Sequence, residues 1–127
     1  MTTTTVPRTQ DLSEGALGMA LLDIERHDLS TARRHLTQAT ARGVSTGSNA
    51  SLFHGAPALD FVLARAHGAD DDVRAAVDRV VDARLAAAHR RQTAGALPDL
   101  AGWDLIRGLA GLAALLLSRR SARTGRR

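Results

Sequence analysis

The stretches Asp11-Leu-Ser-Glu-Gly15-Ala-Leu-Gly18, Ser51-Leu-Phe-His-Gly55-Ala-Pro-Ala58 and Asp104-Leu-Ile-Arg-Gly108-Leu-Ala-Gly111 repeat one pattern, and this pattern decides the fold. Each stretch opens on a polar residue and a leucine, continues to a glycine, and places a small residue three positions after that glycine. Each then runs into an apolar stretch. Such internal similarity predicts three equivalent helices that begin in the same way.

The polar residue that opens each repeat is of a type that caps helices. Asp or Ser accepts hydrogen bonds from the free backbone N–H groups of a first turn, so we expect Asp11, Ser51 and Asp104 to be N-caps. The glycines keep the helix ends slim where several helices converge. These structural glycines are Gly15, Gly18, Gly55, Gly108 and Gly111.

Helices of a second, amphipathic type are predicted between the repeats. The first has an apolar stripe at Leu29, Ala32, Leu36 and Ala39. The second opens on three aspartates from Asp70, and its apolar face holds Val73, Val77, Val80, Val81, Leu85 and Ala88. Gly43, Gly68 and Gly95 are placed where helices should stop. The sequence therefore predicts an all-α array of αα-hairpins, about five helices, with inner and outer helices alternating.

The last predicted inner helix carries a large apolar face. Its members are Leu105, Ile106, Leu109, Leu112, Leu115, Leu116 and Leu117. Burying each is worth about 1.5 to 3 kcal/mol, so together they rival the net stability of a whole domain. No further outer helix follows in the sequence, and we expect this face to be uncovered. The uninterrupted apolar run is also about half of the roughly 20 residues that a membrane span requires.

The composition excludes several classes of protein. All 17 basic residues are arginine, and five of them fall in the last ten residues, so the basicity belongs to the tail and does not indicate nucleic-acid binding. The chain has no cysteine, which excludes disulfides and thiolate metal ligands. Residues 1–10 read as a disordered leader with no secretory signal, and residues 119–127 as a basic tail. We therefore expect a cytoplasmic protein.

The histidines lack the spacing of metal ligands. His54 lies beside Gly55 with no second His or Cys three or four positions away, and we expect it to cap a helix or line a rim. The remaining histidines, His27, His35, His67 and His89, are expected to be solvated. The sequence itself thus predicts no metal site and no phosphate-binding loop.

Aligned in this way, Ser51-Leu-Phe-His-Gly-Ala-Pro-Ala-Leu and Trp103-Asp-Leu-Ile-Arg-Gly-Leu-Ala-Gly-Leu-Ala resemble the lanthionine synthetase C-like family, whose inner helices begin with such glycine motifs. The resemblance covers residues 11–118 and implies the N-terminal part of an α/α toroid. It also implies a cyclase that forms thioether rings in dehydrated precursor peptides, with zinc activating the substrate thiol. Its zinc ligands, two Cys and one His, belong to later repeats.

The resemblance carries one catalytic residue onto this chain. Asp104 is similar to the acidic residue that opens the family's motif at the mouth facing the zinc, where it assists proton transfer or positioning. A plain N-cap role explains Asp104 equally well. The chain is thus expected to be the N-terminal part of such a cyclase, without zinc or activity of its own, with a precursor peptide or a biosynthetic dehydratase as partner. The alternative is a short helical adaptor, or a leader-peptide-binding protein, that uses the exposed Leu face of the last helix.

Overall fold

A computed structural model describes residues 10–47, 49–66, 70–96 and 108–124, with side chains described as far as Arg119. These residues form five helices and no strand, only isolated β-bridges. The helices are α1 (Ala16–Glu25), α2 (Leu29–Thr40), α3 (Ala56–Ala66), α4 (Asp71–Thr93) and α5 (Leu109–Thr124). The prediction of an all-α hairpin array is confirmed, since α1 packs on α2, α3 on α4, and α3 also contacts α1 and α5.

The three glycine repeats each start a helix, one residue after the glycine. The carbonyls of Gly15, Gly55 and Gly108 accept the first helical hydrogen bonds, from the backbone N–H groups of Met19, Leu59 and Leu112 at 3.2, 2.9 and 3.3 Å. The glycines therefore take the N-cap position.

The predicted capping roles of Asp11 and Ser51 are wrong, because α1 and α3 begin beyond them. Gly15 is the N-cap residue of α1, so no side-chain hydrogen bond caps this helix. Ser51 Oγ accepts instead from the backbone N–H of Phe53, at 3.4 Å, within the loop that precedes α3. Asp104 lies outside the described residues.

The outer helices are capped by aspartate side chains. Asp28 accepts from the N–H of Thr31 at 3.2 Å to start α2, and Asp70 accepts from that of Val73 at 3.0 Å to start α4. Helix α4 ends before Gly95, whose φ of 70° lets the N–H of Ala96 turn back to the carbonyl of Arg91 at 2.9 Å. Gly43 likewise follows the end of α2, whereas Gly68 lies outside the described residues.

The largest core cluster lies between α1, α2 and α3. Leu17 and Ala20 of α1 are fully buried beside Val62 of α3. The predicted stripe of α2 contributes Ala32 and Ala39, each 2% exposed, while Leu29 at its start stays 48% exposed. The outer helix therefore contributes mainly small side chains, which lets it pack closely on α1.

A second core region lies between α3, α4 and α5. Leu112 and Leu115 of α5 are 1% and 3% exposed, against Val80 and Val77 of α4. The expectation of an uncovered Leu face is wrong for these two leucines, because α5 turns them onto the preceding hairpin. Leu117 does remain 60% exposed.

The rest of the predicted Leu face and the apolar face of α4 are only partly covered. Leu105 and Ile106 lie outside the described residues, and Leu109 and Leu116 are half-buried. On the predicted face of α4, Val77 and Val80 are buried, whereas Leu85 is 52% exposed. The others are half-buried: Val73, Val81 and Ala88. None of the described helices combines the length and hydropathy needed to cross a membrane.

Candidate functional site

The loops that lead into α1 and α3 meet and form one junction. The backbone N–H of Leu12 donates to the carbonyl of Phe53 at 2.9 Å, and that of Gly55 donates to Gln10 at 3.4 Å. These antiparallel contacts join the first two glycine repeats directly. Helices α1 and α3 therefore begin at the same end of the array. The polar residues Asp11, Ser51 and His54, which the sequence indicates as caps or rim residues, precede these two helix starts.

A chain of polar side chains crosses this junction. The imidazole Nδ1 of His54 contacts the carboxylate of Asp11, and its Nε2 lies 3.1 Å from Nδ2 of Asn49. The hydroxyl of Ser45 donates to Oδ1 of Asn49 at 2.6 Å. The side chains of His54 and Asp11 are 22% and 20% exposed, so the pair is largely removed from solvent. The network thus joins Asp11, which precedes α1, to three side chains of the connection between α2 and α3.

Both ring nitrogens of His54 have neighbours within the chain. Nδ1 lies against the carboxylate of Asp11, and Nε2 lies against the side-chain amide of Asn49. A metal ion could bind this imidazole only by displacing one of these two partners.

Gln10 fastens the end of α2 to the same junction. Its Nε2 donates to the carbonyl of Gly43 at 2.6 Å, and its Oε1 accepts from the N–H of Ser45 at 2.9 Å. The carbonyl of Ser45 accepts from the N–H of Ala56, the first residue of α3, at 2.9 Å. Gln10, placed by the sequence at the end of a disordered leader, is therefore a structural residue.

Two of the structural glycines have no room for a side chain. A Cβ at Gly18 would lie 2.0 Å from the carbonyl oxygen of Leu12, and one at Gly55 would lie 2.6 Å from that of Ser45. Gly55 also has a φ of +74°, which L-residues rarely adopt. The backbone of the junction thus touches these glycines directly. Gly15, Gly108 and Gly111 are buried.

A second histidine and aspartate pair joins the first hairpin. His35 Nδ1 of α2 lies 2.5 Å from Oδ2 of Asp23, a residue of α1 that is 8% exposed. The expectation that His35 is solvated is therefore wrong, because α2 turns it toward α1. His27 and His89 are exposed as expected, and His67 lies outside the described residues.

The zinc that the family resemblance implies does not fit the described residues. The chain has no cysteine, and within the described ranges no three His, Asp or Glu side chains come together as a metal site would require. The two nitrogens of His54 already have partners at the junction. Asp104, the one catalytic residue that the resemblance carries over, lies outside the described residues.

Sequence reasoning missed the side chains that hold the junction. Asn49, Ser45 and Gln10 were passed over because a hydrogen-bond network across loops has no periodicity in the sequence. The only available signal was that Asp11 and His54 belong to aligned repeats and each precedes the equivalent glycine, Gly15 or Gly55. The pairing of buried Asp60 with Arg119 was missed for the same reason, since Arg119 was assigned to the tail.

Comparison with known proteins adds no relative: no family model, no curated protein and no solved structure matches the chain. The described residues therefore define a class by architecture alone, an all-α array of helical hairpins whose inner helices open on glycine.

Proposed function

We propose that this chain forms the opening hairpins of a lanthionine synthetase C-like α/α toroid and serves there as scaffold. One observation carries the proposal. Three glycine repeats, of which the second and third resemble the family's motifs, each start a helix directly after the glycine, and the first two meet in a hydrogen-bonded junction. A closed ring of inner helices needs such slim and similar starts, because neighbouring helix ends converge there.

In this proposal the chain places helix ends and supplies no zinc ligand. Zinc bound elsewhere in such a protein would deprotonate the thiol that is added to the dehydrated residue of a precursor peptide. The network of Asp11, His54 and Asn49 keeps two inner helices in register at that end. Asp104, which opens the third repeat, is the only residue of this chain that we propose as a participant in the chemistry.

The first experiment is to sequence the DNA downstream of the codon for Arg127. We expect a reading frame, continuous or frameshifted, that encodes Cys-bearing helical repeats, and we expect the joined protein to bind zinc and to cyclise a dehydrated peptide. A clean stop codon, followed by no such repeats, would overturn the proposal.

The second experiment separates the two roles of Asp104 in that joined protein. Asn caps a helix nearly as well as Asp but cannot carry a proton. We expect Asp104→Asn to keep the melting temperature and to slow cyclisation. An unchanged cyclisation rate would assign Asp104 to capping alone.

The alternative, a helical adaptor or leader-peptide-binding protein, is favoured by a different observation. The side of α5 that faces solvent is uncharged over Ala110, Ala113, Ala114 and Leu117, at the spacing of one helix face. This face is smaller than the sequence suggested, because Leu112 and Leu115 are buried. Under this alternative, Leu117→Glu abolishes binding of a fluorescent leader peptide to the chain, whereas the scaffold proposal expects no binding by either form.

A further inference from the structure

The buried side chains of helix α5 belong to core clusters other than the largest one. Leu112 forms one buried cluster with Ala50 and Val80, and Leu115 forms another with Ala56 and Val77. The largest cluster, formed by α1, α2 and α3 with nine buried residues, contains no residue of α5. Only the partly buried Val44 and Phe61 pack against both the largest cluster and the cluster of Leu115, so most of the apolar contacts that hold α5 differ from those that hold the first hairpin.

A single arginine adds a polar contact to this docking. Nε and Nη2 of Arg119 donate to Oδ2 of Asp60 at 3.0 and 2.6 Å, and Nη1 donates to Asp78 at 3.2 Å. Asp60 lies on α3 and is 1% exposed, and Asp78 lies on α4. Arg119 thus joins α5 to both helices of the preceding hairpin. We name the Arg119, Asp60 and Asp78 contacts the clasp.

Asp60 depends on this arginine. Its other cationic neighbour is Arg74 of α4, whose Nε is 4.0 Å from Oδ1 of Asp60, too far for a hydrogen bond. Within the described part of the chain, both of those buried atoms lack a hydrogen-bond partner. A buried carboxylate that loses its main partner is costly, whereas water can solvate it if α5 moves away. Loss of Arg119 therefore favours the undocked position of α5.

We infer that α5 is a detachable latch, which the clasp holds in register on α3 and α4 and which opens as a unit while α1, α2 and α3 stay folded. Opening exposes the apolar surface around Val77 and Val80 together with the carboxylate of Asp60. Partial opening of this kind is expected where an element rests on few buried side chains of its own. The inference is independent of the proposed function, because it uses only contacts within this chain.

Native-state hydrogen exchange of the full chain tests the latch. We expect the amides of α5 to exchange through an opening with a smaller denaturant dependence than the opening that exposes α1 and α3. Arg119→Met should raise the exchange rate of α5 by on the order of 100-fold and leave α1 and α2 little changed. The latch is wrong if α5 of the unmodified chain exchanges only in the same global unfolding as α1 and α3.

The matched control is Arg65→Met, which breaks an exposed pair with Glu25 at 2.6 Å between α3 and α1. It should change the exchange of α5 by less than about threefold, since exposed pairs contribute little. An equal effect of Arg65→Met and Arg119→Met on α5 would overturn the role of the clasp.

A double variant tests the clasp even if the Arg119→Met chain fails to fold. Asp60→Leu with Arg119→Leu replaces both members of the buried pair, and apolar replacement of a buried pair is often tolerated. We expect α5 of this double variant to exchange more slowly than α5 of Asp60→Leu alone, in which Arg119 loses its buried partner. Exchange that is equal or faster in the double variant would contradict the clasp.

Discussion

His54 and Asp11 lie 43 positions apart in the sequence, and their side chains meet where the first two glycine repeats start their helices. The contact is polar, only about one fifth exposed, and extended by Asn49 to the loop after α2. Nothing in the local sequence around Asp11 or around His54 indicates that the two residues are partners. Because the contact lies where both helices begin, we expect it to stabilise the junction, and substitution of His54 can measure that stabilisation.

Loss of the imidazole should loosen the junction. We expect His54→Ala to lower the free energy of unfolding by about 1 to 3 kcal/mol, because Asp11, whose side chain is 20% exposed, loses its partner. Urea unfolding followed by circular dichroism measures the change. His89→Ala, at an exposed position of α4, is the control and should stay within about 0.5 kcal/mol of the unmodified chain. Equal effects of the two substitutions would refute a structural role for the pair.

Gly18 should not tolerate a methyl group. Its Cβ would lie 2.0 Å from a backbone carbonyl oxygen of Leu12, which cannot move without disturbing the junction. We expect Gly18→Ala to destabilise the chain by about 3 kcal/mol or more. Gly47→Ala is the matched control, since its nearest neighbour is a side-chain atom of Asn49 at 3.8 Å. A thermal melt that ranks the two substitutions equally would contradict the close approach.

Gly55 and Gly95 separate backbone conformation from steric contact. Both have positive φ, 74° and 70°, but only a Cβ at Gly55 meets a neighbour, Ser45. Gly95→Ala should cost about 1 to 2 kcal/mol for the left-handed backbone alone. Gly55→Ala should cost about 1 to 3 kcal/mol more, from the added overlap. Equal losses of unfolding free energy for the two substitutions, measured by chemical denaturation, would show that the loop around Ser45 moves aside at little cost.

The start of α2 should respond to acid through Asp28. Hydrogen bonds from the side chain and then the backbone N–H of Thr31 hold the pKa of Asp28 below its ordinary value of 3.8. A lowered pKa means that the ionised cap stabilises the fold above pH 3.8 and that this contribution is lost as the pH falls through the folded-state pKa.

Asp28→Asn isolates that contribution, because Asn caps without titrating. We expect the difference in melting temperature between the unmodified chain and Asp28→Asn to shrink as the pH is lowered from about 6 to about 2.5. A difference that stays constant over this range would remove Asp28 from the acid response.

The helices were predictable because their signals are local. The glycine repeats, the aspartate caps of α2 and α4 and the glycine stop after α4 depend on neighbours within a few residues, so each can be read from a short window. The exact starts of α1 and α3 were missed. Asp11 and Ser51 are both good capping residues, and only the long-range contacts of Asp11 and the loop turn of Ser51 reveal that the glycine takes the cap.

The amino-acid sequence by itself determined an all-α chain with alternating inner and outer helices, because apolar periodicity and capping are properties of adjacent residues. Tertiary structure alone decided which polar groups meet and which apolar face is covered. Asp60 and Arg119, 59 positions apart, and the burial of Leu112 and Leu115 depend on where α5 rests. No local pattern encodes that placement, since it follows from how the hairpins pack in space.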